Sequence, residues 1–234
     1  MPRRTAVAGL LILVVIPAVI AGGILLFADR QYYLVSLLII GCTLAPFAMV
    51  FERRRPQARE LVILAVLCAI GVAGRGAFFM VPQVKPVVAI VIITGVTMGA
   101  EAGFLVGAMT GFVSNFFFGQ GPWTPWQMFC FGIIGFLAGL LFRRGRLPRT
   151  RPVLCVYGGL ATLLIYGGLI NIASLLIWTS QPTWTGLAAM YVSGLPFDLI
   201  HAAATVIFLW LLADPMIEKL ERVRRKYGLI DVPG

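Results

Sequence analysis

The chain has 234 residues and a formal net charge of +10, and 60% of its residues are hydrophobic while only 12% are charged. This composition excludes an ordinary soluble domain, and several apolar runs reach the length of about 20 residues that a helix needs to cross a bilayer. Lipid cannot hydrogen-bond the backbone, and the runs show no strict alternation of apolar and polar residues. We therefore expect an all-α polytopic membrane protein instead of a transmembrane barrel.

The positive charge is concentrated in short segments between apolar runs, which does not favour a nucleic-acid partner. Most of the 19 lysines and arginines fall within residues 3–4, 53–59, 143–151 and 219–226. The others are Arg30, Arg75 and Lys85. Basic loops between membrane spans mark the cytoplasmic side. We expect a multi-pass protein of a prokaryotic cytoplasmic membrane, surrounded by the lipid bilayer, with both termini in the cytoplasm and no nucleic-acid partner.

Two helices are predicted ahead of the main helical core. The first apolar run, 5–28, follows two arginines and has some features of a signal peptide. Its length and the immediate start of a second run, 32–51, favour an uncleaved helix. We therefore divide the chain into an N-terminal extension with a basic linker, 1–59, a core, 60–213, and an amphipathic cytoplasmic tail, 214–234.

The core begins with a helix predicted over 60–80. Its residues Ala65, Ala69 and Ala73 are four apart and share one face. Such a small-residue stripe serves either packing within the chain or docking of another membrane subunit. Arg75, near the outer end of this helix, needs a partner or a polar cavity because an isolated charge in hydrocarbon is costly.

Residues 87–118 form an apolar segment that is too long for one span. As a single helix its 32 residues would extend about 48 Å at roughly 1.5 Å per residue, whereas the hydrocarbon core is about 30 Å thick. One crossing would also place the arginines of 143–151 outside. We therefore predict that the chain turns back within 98–101, where Gly99 permits a bend. Later spans are predicted over 126–142, 153–178 and 186–213.

A glycine series and an aromatic loop occupy the middle of the sequence. The series consists of Gly95, Gly99, Gly103, Gly107 and Gly111. At this spacing the glycines share a helix face and allow a second helix to approach closely. The external loop that follows, 119–125, offers apolar surface and one amide side chain, which is typical of a small-molecule pocket. The candidate ligand contacts are Gln120 and Trp123 in this loop and Trp126 directly after the loop.

The last two spans carry the remaining polar candidates. Asn171 is the buried polar residue of the first, and Trp184 lies near the end of the loop between them. Asp198 and His201 are three residues apart and share a helix face. They form a substrate-binding pair, half of a proton relay, or a satisfied interhelical cluster in which Asp198 pairs with Arg75.

An enzymatic alternative is an intramembrane serine hydrolase with Ser114 as nucleophile and His201 as base. The residue after Ser114 is Asn115, not the glycine that a strained nucleophile turn favours. The chain has one histidine and no phosphate-binding loop, and its cysteines lack metal-site spacing. We therefore expect no catalysis, no directly bound cofactor and no metal. ATP-driven transport would need partner subunits that use the ATP.

Several of these features occur together between residues 60 and 213. They are the alanine stripe, Arg75-x-x-Phe78 leading to Pro82 and Pro86, the glycine series, Ser114-Asn115 before the tryptophan-rich loop, and Leu195-Pro196-Phe197-Asp198 followed by His201. In this combination the chain resembles the substrate-binding S component of energy-coupling factor (ECF) vitamin transporters. The tract 114–128 is the most specific part. The resemblance implies a six-helix core, so the two preceding helices depart from the family pattern.

The resemblance also implies a function and partners. An S component binds a vitamin or vitamin precursor from outside, and its alanine motif docks onto a transmembrane coupling subunit that joins two cytoplasmic ATPases. This favours docking for the alanine stripe, and it places Asn115 among the expected substrate contacts. The loop is most similar to the branch linked to cobalamin and its precursors, and a large planar ligand would suit Trp123, Trp126 and Trp184.

Overall fold

The computed structural model describes residues 58–143, 145–179 and 183–227, together with positions 10, 14, 15, 17 and 18. The predicted N-terminal helix pair and its linker lie almost entirely outside the described residues. The three ranges contain α1 (Ala58–Ala77), α2 (Val87–Met98), α3 (Ala100–Phe118), α4 (Thr124–Arg143), α5 (Arg151–Trp178) and α6 (Trp184–Lys226). Of these, all but α2 are long and apolar enough to cross a membrane. The all-α, multi-pass architecture with a core of six helices is therefore confirmed.

The short helix α2 lies at the centre of the core. Every one of its 12 residues is buried, and it packs against α1, α3, α4 and α6. Because the helix is apolar on all sides, it has no face suited to water. The chain reverses at Gly99, whose φ of 111° is accessible to glycine at little cost. The predicted turn within 98–101 is thus confirmed. Arg143 Nη1 donates to the Met98 carbonyl at 2.5 Å, which satisfies a carbonyl at the C-terminal end of α2 that has no partner within the helix.

Glycines bring the backbones of α3 and α4 into direct contact. A Cβ atom added at Gly103 would lie 2.5 Å from the carbonyl oxygen of Gly135, and one added at Gly107 would lie 2.5 Å from that of Phe131. Gly95 on α2 faces the same stretch of α4, near Gly135 and Gly139. The predicted close approach of a second helix is confirmed, and this second helix is α4.

The last helix is longer than the sequence pattern indicated. We expected a span that ends at 213 and a separate tail, but α6 continues without interruption through Pro215 to Lys226. A proline removes one helical hydrogen bond and crowds the preceding turn, but ion pairs on both sides of Pro215 hold this helix in place. Arg151 Nε donates to Asp214 Oδ2 at 2.6 Å, and Arg149 Nη1 donates to Glu221 Oε1 at 3.0 Å. The described part of the tail is therefore a continuation of the final helix.

Candidate functional site

A polar cavity of about 300 Å³ opens at one end of the helical core. It lies where α1 and α3 end and where α2 and α4 begin, and it extends to the middle of α5 and α6. Its wall consists of Arg75, Phe79, Pro82, Gln83, Lys85, Val87, Phe118, Gln127, Phe131, Tyr166 and His201. Val87 begins α2 and the arginine-rich segment binds the other end of α2 at Met98. The cavity and the basic loop are therefore at opposite ends of the core.

Arg75 is held at the cavity wall by side chains of α3. Its Nη1 donates to Ser114 Oγ at 2.6 Å and to Asn115 Oδ1 at 2.7 Å. The guanidinium also lies over the Phe118 ring, 5.1 Å from the ring centroid. We expected this cation to have either a partner or a polar cavity, and it has both: hydrogen-bond acceptors on α3 and a place in the cavity wall. The suggested pairing of Arg75 with Asp198 was wrong, because neutral oxygens of α3 accept from Nη1 instead.

Asn115 links Arg75 to the other polar groups of the wall. It is fully buried, and its Nδ2 donates to Gln127 Oε1 at 2.9 Å and to Thr124 Oγ1 at 3.0 Å. Gln127 Nε2 in turn donates to the Tyr166 hydroxyl at 3.4 Å. Since Asn115 lies behind Arg75 and Gln127, it orients cavity residues and is not itself among the lining residues.

Gln120 fixes the aromatic loop instead of lining the cavity. Its Oε1 accepts from Thr124 Oγ1 at 2.9 Å, and its Nε2 donates to the Phe112 carbonyl at 3.1 Å. The Gly121 N–H also donates to Thr124 Oγ1 at 3.2 Å. The loop is thereby bonded to the end of α3 and the start of α4, and both ends of the Gln120 amide take part in these contacts.

The predicted tryptophan contacts lie away from the cavity. Trp126 belongs to α4, which begins at Thr124, and it packs on an apolar cluster between α3 and α4 that includes Phe129. Trp123 packs over Gly121, where a Cβ atom would lie 2.5 Å from its Cζ2. Trp184 begins α6 and is 86% exposed. Within the described residues, the aromatic wall of the cavity is formed by phenylalanine and tyrosine instead.

His201 lies at the inner end of the cavity. Its ring contacts Tyr166 edge-on, with the centroids 4.7 Å apart and the planes at 88°. Tyr166 also stacks against Phe131 with centroids 5.1 Å apart and planes at 21°. His201 is 4% exposed, and its Nδ1 is a buried atom without a hydrogen-bond partner among the described residues. Tyr166 reaches this position from a π-helical stretch of α5, Thr162–Gly167.

Asn171 and Asp198 form a pair between α5 and α6. Asn171 Nδ2 donates to Asp198 Oδ2 at 2.7 Å and to the Gly167 carbonyl at 2.8 Å. The pair lies where glycines let the helices approach, since Cβ atoms at Gly167 and Gly194 would meet these two side chains. Asp198 and His201 therefore have different surroundings. The Asp198 carboxylate accepts a hydrogen bond from α5, whereas the His201 imidazole lines the cavity.

The serine hydrolase alternative gains no support from the geometry. Ser114 Oγ accepts from Arg75 and donates to the Gly111 carbonyl at 3.2 Å. No hydrogen bond joins Ser114 to His201 in the described part of the chain. A hydroxyl without a neighbouring base is a poor nucleophile.

Lys85 is a cavity residue that the sequence-based prediction of site residues omitted. Its ammonium group donates to the carbonyl oxygens of Phe78 and, at 2.5 Å, of Val81 just beyond the end of α1. Burial lowers the pKa of Lys85, and the positive charge of Arg75 lowers it further. Lys85 and Arg75 are two of the few cations outside the basic segments, and that isolation was the signal that could have found them together.

The alanine stripe lies on an open face of the core. Ala65, Ala69 and Ala73 are exposed and line a groove of about 580 Å³ between α1 and α3. The groove is otherwise lined by apolar side chains such as Leu105 and Met109. No described helix covers the stripe, so it does not serve packing between the described helices.

Comparison with known proteins identifies a family. Residues 59–213 match the family model described as "ECF transporter, substrate-specific component". A UPF0397 protein from Vibrio atlanticus (strain LGP32) is 31% identical over 104 residues, which cover 39% of this chain and 57% of that protein. UPF0397 proteins from Aliivibrio fischeri (strain MJ11) and Aliivibrio salmonicida (strain LFI1238) are each 33% identical over 89 residues, 36% of this chain and 48% of theirs.

The chain spans about half the length of these curated relatives. No solved structure matches it significantly. The family match, however, starts beside the first residue of α1 and ends within α6, so it covers the bundle that surrounds the cavity. The chain therefore belongs to the family of substrate-specific components of ECF transporters.

Proposed function

We propose that this protein captures a vitamin or vitamin precursor outside the cell and delivers it to an ECF-type importer. The observation that carries the proposal is the cavity between Arg75 and His201, which combines aromatic walls with oriented polar groups in a chain of this family. A concave site whose apolar walls carry polar groups in fixed orientations is what a small-molecule binding protein needs.

The charge distribution supports an external opening for the cavity. The arginines of 143–151 and the basic end of α6 lie at the opposite end of the core, and such clusters stay in the cytoplasm. With an even number of spans, both termini would also be cytoplasmic. In this orientation the loop that carries Gln83 and Lys85 would be the first part of the site that a ligand meets.

The exposed alanine stripe supports docking onto a coupling subunit. Members of this family work with such a subunit and with ATPases, which supply the energy. Small side chains on α1 let a partner helix approach closely in lipid, where packing rather than hydrophobicity drives association. We propose that Ala65, Ala69 and Ala73 form this docking face and that two ATPases bind through the coupling subunit, so this chain itself uses no ATP.

The cavity volume bears on the proposed ligand. Drug-sized ligands occupy pockets of about 300–1,000 Å³, and the cavity, at about 300 Å³, is at the lower end of that range. A cobalamin-like ligand, which the tryptophan-rich loop suggested, would project well beyond this space. The volume therefore favours a smaller vitamin or precursor.

The proposal is tested by identifying what the protein carries. Full-length protein is purified in detergent and denatured, and the released small molecules are identified by mass spectrometry. We expect one vitamin-class compound from the wild type and from Arg146→Gln in the exposed basic loop, and a strongly reduced amount from Arg75→Gln. Equal amounts from both variants would exclude the cavity as the binding site.

A further inference from the structure

The charges of the cavity wall are all of one sign. Arg75 and Lys85 are its two cationic residues, and no carboxylate is among the lining residues of the described chain. Asp198, which lies on the same helix as His201, accepts a hydrogen bond from Asn171 and is not among the lining residues. Two cations in a partly enclosed, aromatic site attract a negative group far more strongly than they would in water.

Arg75 has donors left over after its contacts with the described residues. Both of its hydrogen bonds to α3 use Nη1, and neither Nε nor Nη2 donates to any described residue. These two atoms form one edge of the planar guanidinium, which binds a carboxylate through two parallel N–H···O bonds. The bonds from Nη1 hold the guanidinium in place, so this edge is oriented before a ligand arrives.

His201 supplies a second, independent indication of a ligand. Its Nδ1 is buried and lacks a protein partner in the described part of the chain, although buried polar atoms are almost always hydrogen-bonded. Phe131 and Tyr166, whose rings are stacked on each other at 21°, both line the cavity beside it. A polar atom on a flat ligand would satisfy Nδ1 while the ligand ring lies against these aromatic side chains.

From these contacts we infer that the ligand is a compact, flat ring compound that carries a carboxylate. The carboxylate binds the Nε and Nη2 edge of Arg75 with Lys85 beside it, and the ring lies near Phe131 and Tyr166 with a ring heteroatom at His201 Nδ1. This inference rests on the proposed function and adds the charge, size and shape of the substrate to it.

Charge-matched probe pairs test the inference on the full-length protein in detergent. Benzoate and benzamide have the same shape and differ in charge, and nicotinate and nicotinamide repeat the comparison with a ring nitrogen that His201 can bind. Binding is measured as the concentration-dependent rise in melting temperature. We expect each carboxylate to bind about tenfold or more tightly than its amide, since hydrogen bonds to charged groups are the stronger class.

Two variants test whether the preference for a carboxylate over its amide arises in the cavity. Lys85→Gln should reduce the carboxylate-to-amide affinity ratio severalfold, whereas Lys219→Gln on the exposed end of α6 should leave it unchanged. Comparing the two probes within one variant cancels any change in the stability of the protein itself. A ratio near one in the wild type, or an equal reduction in both variants, would overturn the inference.

The identity of the natural cargo separates this inference from the proposed function. If the purified protein releases a neutral or cationic vitamin, the proposed function stands and the carboxylate inference fails. If it releases a flat carboxylate, both are supported. If it releases no compound and none of the four probes stabilises it, both fail.

Discussion

The contact between α3 and α4 gives the sharpest prediction about the fold. A Cβ atom at Gly103 would lie 2.5 Å from the Gly135 carbonyl oxygen and 2.8 Å from the Gly95 Cα, where ordinary contact begins at 3.4 Å. Neither obstacle is a flexible side chain, so the helices must separate by about 0.6–0.9 Å to admit a methyl group. Overpacking of this kind costs about 1–3 kcal/mol.

Gly103→Ala should therefore lower the melting temperature of the detergent-solubilised protein by several degrees. Gly168→Ala on α5 is the matched control, because no atom lies within 4 Å of a Cβ at that helical position. There the better helix propensity of alanine should raise stability by about 0.5–1 kcal/mol. Melting temperatures that change equally in the two variants, or a Gly103→Ala protein as stable as the wild type, would refute the backbone contact.

Three further predictions concern the site and its partners. Ala69→Phe should leave ligand binding intact and abolish uptake in cells that contain the coupling subunit. Val156→Phe, on the exposed side of α5, is the control and should retain both. Loss of both binding and uptake in Ala69→Phe would indicate misfolding instead of a docking defect. Affinity for a carboxylate should fall as the pH rises through the pKa of Lys85, which is lowered from the ordinary lysine value of 10.5. In Lys85→Arg the affinity should no longer fall over this pH range, because arginine keeps its charge. A variant with the same pH profile as the wild type would contradict a role for the Lys85 charge. Asn115→Ala leaves Arg75 without one acceptor and should lower stability by about 1–3 kcal/mol in a thermal melt, which a merely peripheral amide would not do.

The chain reversal and the glycine contacts could be predicted because backbone constraints leave few alternatives. A segment of 32 residues does not fit one span, and Gly99 is the residue there that tolerates a positive φ. Glycines four apart likewise permit close approach whatever the partner helix is. These inferences depend on local geometry and on the membrane, and not on how the helices are arranged around the cavity.

The cavity wall was harder to predict because its residues resemble core residues in sequence. Phe131 and Tyr166 lie within apolar helices, and a π-helical turn changes which side of α5 Tyr166 occupies. Trp126, a predicted ligand contact, packs between helices because α4 begins at Thr124. The continuation of α6 past residue 213 was equally hard to predict, since it is supported by ion pairs of Asp214 and Glu221 with arginines distant in sequence.

The most direct test of the account is whether filling the cavity removes the ligand. Gln127→Trp places a large side chain in the cavity wall, and Trp123→Ala removes one from the loop outside it. Mass spectrometry of the small molecules released from the purified proteins should detect the same compound in the wild type and Trp123→Ala, and little or none in a folded Gln127→Trp protein. Full occupancy in Gln127→Trp together with loss in Trp123→Ala would contradict the account and place the binding site at the loop.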